Sequence, residues 1–155
     1  MKNFYQRGLS IIELLILIAV IGVLTAVIIP QFSKIRENQV LKSGVEDLLS
    51  SINNARGKTL SSLNSSEYGV HFESEKVIIF KGKVFSAGAT DNETINIVTP
   101  ASISNVTLDG VSGISGDIYF NRLSGIPSDT GTITVSTPSF SKIITISATG
   151  IISVN

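Results

Sequence analysis

Residues 7–30 read RGLSIIELLILIAVIGVLTAVIIP, and the character of this stretch decides the architecture. From Leu9 to Ile29 the chain runs for 21 residues with Glu13 as its sole charge. At 1.5 Å per residue a helix of that length measures about 31 Å, which matches a bilayer hydrocarbon core of about 30 Å. The run is apolar on every face, unlike the one-sided stripe of a helix lying on a soluble domain. A secretory signal peptide would carry a shorter apolar region, about 7 to 15 residues, followed by a small-x-small cleavage site. The stretch therefore predicts a transmembrane helix rather than a signal peptide or a buried helix.

Glu13 sets this helix apart from a plain anchor. A carboxylate inside a membrane helix costs a few kcal/mol and calls for a partner. No Lys, Arg or His lies between Gly8 and Ser33, so the helix itself supplies none. The residues ahead of the run suggest another source. Met1 to Gly8 reads MKNFYQRG, a short polar leader with Lys2 and Arg7. Cutting after Gly8 would leave Leu9 as a new N-terminus, its positive amine four residues ahead of Glu13.

The sequence RG followed by LSIIELLILIAVIG resembles the class III signal of type IV prepilins and pseudopilins. In that family a membrane peptidase removes the leader after the glycine and methylates the new amine. The resemblance thus implies cleavage between Gly8 and Leu9 and N-methylation of Leu9. It implies that Glu13, at the fifth mature position, sets register during assembly. Gly22 and Pro30 fall where the family has its helix glycine and proline, and Leu9, Ser10 and Ile11 depart from the usual Phe or Met followed by Thr-Leu. Gly packs closely in membrane helices and Pro removes a helix hydrogen bond, so Gly22 and Pro30 together imply a segment able to bend or partly unwind.

Partners implied by the resemblance are other pilin or pseudopilin subunits, the prepilin peptidase/methyltransferase, an inner-membrane assembly platform and, before assembly, the lipid bilayer. Flanking charge does not orient the helix, with Lys2 and Arg7 before it and Lys34, Arg36 and Lys42 after. The resemblance implies a cytoplasmic leader, a single pass through a bacterial inner membrane, and an exported C-terminal domain.

After Pro30 the pattern becomes amphipathic. Leu41, Val45, Leu48, Ile52 and Ala55 are spaced 4, 3, 4 and 3 residues apart, with Lys42, Glu46, Asp47, Asn53 and Asn54 on other faces. The helix is expected to continue to Arg56 or Leu60 and to pack against its own domain. A polar connector, SSLNSS at 61–66, precedes short β-rich runs at 68–73, 76–81, 94–99, 103–108, 117–121, 131–137, 142–148 and 150–154. Separated by Gly, Asn, Asp, Ser and Pro, these eight runs predict antiparallel strands in two packed sheets. The fold class is α+β: leader 1–8, transmembrane or filament-core helix 9–29, amphipathic continuation 30–60 and β-domain 61–155.

The YGVHF segment, IYFNRLSGIPSDTGTITV and KIITISATGIISV resemble the globular domain of the GspH/FimT group of minor pseudopilins and minor pilins. That resemblance implies a pilin-like domain and a minor subunit of a type IV pilus, a competence pseudopilus or a type II secretion pseudopilus.

Other chemistry finds little footing. The 155 residues hold 12 Lys plus Arg, 12 Asp plus Glu, one His and no Cys, so there is no thiolate site and no disulfide framework. Lone His71 cannot form a triad, and no G-x-S-x-G turn appears. Asp109, Asp117 and Asp129 lack the spacing of a calcium loop. No enzyme, metal site or cofactor is expected. Some related minor pilins capture DNA, and here such binding would use Lys76, Lys81 and Lys83. Residues 84–155 supply only Arg122 and Lys142 as further basic groups, so a solvated hairpin is the preferred reading. An unprocessed single-pass anchor displaying a β-domain is the remaining alternative.

Overall fold

The structure, a computed structural model, describes residues 10–155. The chain divides into two compact units, one extending to Arg36 and the other covering Glu37–Asn155. Helix α1 (Ile11–Leu60) contributes to both. In the first unit every described residue is exposed. An 18-residue window there has a mean hydropathy of 3.0, long and apolar enough to cross a membrane.

In the second unit the same helix changes character. Leu41, Val45, Leu48, Ile52 and Ala55, the predicted stripe, are all buried. They join the inner faces of two antiparallel sheets in a single core. Gly44, on the same stripe, lets α1 approach closely: a Cβ there would sit 3.3 Å from Ile97 Cγ2. The unit thus begins within the helix, because the stripe supplies one wall of the core.

A 3₁₀ turn (Leu63–Ser65) follows α1 and leads into the strands. The first sheet contains β1 (Tyr68–Phe72), β2 (Lys76–Lys81), β3 (Glu93–Asn96) and β6 (Gly116–Phe120), in the order β3-β2-β1-β6. The second contains β4 (Ser102–Leu108), β5 (Val111–Gly113), β7 (Gly131–Ser136), β8 (Ser141–Ile146) and β9 (Ile152–Val154), in the order β5-β4-β7-β8-β9. Among the described residues nine strands stand where eight were expected. The additional one, β5, is a three-residue, wholly exposed strand, too short and too close to glycines to register as an alternating run.

Alternation places Val70 and Phe72 of β1, Ile118 and Phe120 of β6, Ile133 and Val135 of β7, and Ile144 and Ile146 of β8 in the core. On the outer face of the second sheet, Ser112, Thr107, Thr132, Thr145 and Ser153 lie opposite one another across all five strands. Thr and Ser suit such a face because a β-branched or small hydroxyl side chain satisfies the pleat while remaining wetted.

The C-terminal end of α1 is tied down by polar contacts. Thr59 Oγ1 donates to Ala55 O at 2.9 Å and accepts from the backbone N–H of Tyr68 at 2.9 Å, joining helix end to strand start. Arg56 donates from Nε to Gly125 O at 3.1 Å and from Nη2 to Thr149 O at 3.3 Å. One guanidinium thereby holds two turns. Gly150 makes the approach possible: its φ is +76°, and a Cβ would fall 2.7 Å from Gly125 O and 2.9 Å from Arg56 Nε.

Candidate functional site

Two regions gather chemistry. The first is the start of α1. Gly8 and Leu9, the expected cleavage and methylation positions, lie outside the described residues. Ser10 directly precedes the helix, and its carbonyl accepts from the N–H groups of Glu13 at 3.0 Å and Leu14 at 3.1 Å. Glu13 therefore occupies the first turn, where the positive end of the helix dipole favours a carboxylate. The S-x-x-E spacing from Ser10 to Glu13 is a helix-start signature. This signature was available in the same four residues, beside the expected roles of Glu13 as an acid within a membrane helix and as the register residue.

The remaining residues of the apolar segment have plain local geometry. A Cβ at Gly22 would meet nothing within 4 Å, so packing within this chain does not demand glycine there. Three residues on, Thr25 Oγ1 donates to Ile21 O at 2.9 Å and to Gly22 O at 3.0 Å, a back-bonding that favours helix bending. Pro30 lies inside α1, which runs through it without a break. Having no N–H, Pro30 leaves the carbonyl four residues earlier without its helical donor.

The second region is the outer face of the first sheet. Strand β2 is buried on both sides, with Val77 and Ile79 in the core and Ile78 and Phe80 facing away from it at 5% and 1% exposure. Their cover includes the segment between β2 and β3, residues 82–92, whose Phe85 meets Phe80 edge-on at 5.7 Å. Gly69 of β1 makes room for Phe80, since a Cβ there would lie 2.3 Å from the ring. The continuous apolar run VIIF in β2, where a half-wetted strand would alternate, was the signal of this two-sided burial.

His71 is on the same face. Its register partner on β6 is Asp117, and Nδ1 is hydrogen-bonded to Asp117 Oδ1. On the other side of the ring Nε2 lies 3.2 Å from Glu73 Oε1, and Glu73 Oε2 is 3.2 Å from Lys76 Nζ. The ring stacks on Phe85 with centroids 3.9 Å apart and planes 7° from parallel.

The three lysines singled out in the sequence are dispersed by these contacts. Lys76 is paired with Glu73, Lys83 lies 3.9 Å from Glu67 and over the ring of Tyr119, and Lys81 is exposed at the end of β2. An open cleft of about 480 Å³ beside the β1–β2 turn is lined by Glu73, Ser74, Glu75, Lys76, Asn96, Ile97 and Thr99. The three aspartates also serve separate local roles. Asp109 accepts from the N–H of Thr130, Asp117 holds His71, and Asp129 accepts from Ser128 Oγ. Among the described residues no group of three or more His, Cys, Asp and Glu is arranged to hold a metal ion.

No protein-family model, curated protein or solved structure matches this chain.

Proposed function

We propose that the chain is a pilin-like structural subunit, a minor one of the GspH/FimT type, built into a type IV pilus, competence pseudopilus or type II secretion pseudopilus. The observation that carries the reading is the stretch RGLSIIELLILIAVIG, in which a leader glycine, a 21-residue apolar run and Glu13 at the fifth position after the glycine coincide. An exposed apolar helix segment followed by a two-sheet domain with its own core supports it.

In this reading a peptidase cuts between Gly8 and Leu9 and methylates the Leu9 amine. The apolar segment first resides in the bacterial inner membrane, the β-domain being exported, and later packs among the helices of other subunits. Within such an array Glu13 of one subunit meets the Leu9 amine of a neighbour. An unpaired charge is costly in that low-dielectric setting and a pair is much less so, which favours one axial register over others. The pairing of Lys76 and Lys83 with carboxylates speaks against a free basic groove on β2, and hence against DNA capture as the main role.

Mass spectrometry of the protein recovered from membranes tests the reading. The expected product begins at N-methyl-Leu9 and lacks residues 1–8. Recovery of intact Met1 alone, in cells with an active prepilin peptidase, would identify an unprocessed membrane-anchored domain instead.

A further inference from the structure

From the surroundings of His71 we infer that its imidazolium form is a clamp holding the 82–92 segment over the outer face of the first sheet, and that loss of the ring proton releases the segment. This is independent of the assembly role proposed above and uses residues that role leaves idle.

Two features of the geometry point to the charged ring. The first is hydrogen-bond inventory. Both ring nitrogens face carboxylates, Nδ1 toward Asp117 and Nε2 toward Glu73. An ionised carboxylate only accepts, and a neutral imidazole has one N–H to give, whereas the imidazolium has two. Only the charged ring donates to both at once. The second is the stack on Phe85. A cation over a phenyl face within about 6 Å is attracted by the ring quadrupole, and planar cations stack there readily. With centroids 3.9 Å apart and planes 7° from parallel, an imidazolium lies within that range over the Phe85 face.

The charged groups around the ring are Asp117 from β6, Glu73 at the end of β1 and, through Glu73, Lys76 of β2. The β2 residue in register with His71 is the uncharged Ile78. From the segment itself come Phe85, uncharged, and Lys83, which is engaged with Glu67 and Tyr119. The segment is internally tied, Asn92 Nδ2 donating to Ser86 O at 2.8 Å, so release at Phe85 would lift it as a piece. Ile78 and Phe80 would then be uncovered. The sign follows directly: at lower pH both carboxylates keep their donor and the segment stays docked, and as pH rises one donor disappears and the stack loses its charge.

The test is NMR on the full chain in detergent micelles, where the sole histidine gives one set of imidazole resonances. The sample is titrated upward until the imidazole resonances report a neutral ring. The expected result is that the Phe85 ring-current shift on the His71 ring collapses as that ring deprotonates. In the same step, amide protection factors in 84–92 should fall about tenfold, the order expected for losing one charge-assisted hydrogen bond. His71→Gln should abolish the step, and Phe85→Leu should leave the segment poorly protected at both ends of the titration. A segment indifferent to the charge of His71, or the same step surviving in His71→Gln, would overturn the clamp.

Discussion

At the scale of single residues, Glu13 carries two physical roles that can be separated. As a first-turn acid it favours the start of α1 by about 0.3–1 kcal/mol, the usual worth of a charge at a helix terminus. As the proposed partner of a neighbour's amine it governs entry into a filament. Glu13→Ala should therefore abolish or strongly reduce incorporation into assembled filaments, while the subunit in micelles keeps its helix content and its folded β-domain. Filament fractionation together with circular dichroism checks both halves, and normal incorporation would remove Glu13 from the assembly step. The helix-start role was legible in Ser10 and Glu13. The clamp at His71 was not: alternation put His71 on the outer face of β1, but nothing local in the sequence reveals that β6 returns with Asp117 in register or that Phe85 folds back from thirteen residues beyond β1. Such pairings depend on strand order, which hydrophobic period does not encode.

At the scale of elements, α1 shows how one helix obeys two patterns. Up to Ile29 it is apolar all round but for Glu13 and is exposed, whereas from Leu41 its apolar side chains fall on one stripe and are buried. Truncation to alanine should therefore cost stability in one part of the helix and not in the other. Ile52→Ala removes a wholly buried side chain and should lower the unfolding free energy of the β-domain by about 2–5 kcal/mol. Val20→Ala, at an exposed position in the first unit, should leave that free energy unchanged. Denaturant titration in micelles, followed through signals of the β-domain, makes the comparison. The stripe was readable from its 4-3-4-3 spacing, and strands such as β7 and β8 from their alternation. The three-residue β5 was not, because it has too few residues to show a period, and the double burial of β2 shows only as the unbroken run VIIF rather than as an alternation.

At the scale of the molecule, the second unit holds every buried apolar residue of the core, from Leu41 to Ile146. Its two sheets present unlike outer surfaces. Over the first lie ion pairs joining His71 to Asp117, Lys76 to Glu73 and Lys83 to Glu67. Over the second runs the row of Ser112, Thr107, Thr132, Thr145 and Ser153, flanked by Asn105, Thr134 and Ser136, with no ionisable group on that face of β4, β7 or β8. Ionic strength should consequently act on one sheet and spare the other. Raising salt from about 0.01 to 1 M shortens the Debye length from about 30 to about 3 Å. Amide exchange at fixed pH should then quicken around His71 and the 82–92 segment while staying constant in β7 and β8. Joined by backbone bonds and faced without charges on β4, β7 and β8, the second sheet offers salt nothing to screen, so dilute and concentrated buffers should leave it equally firm.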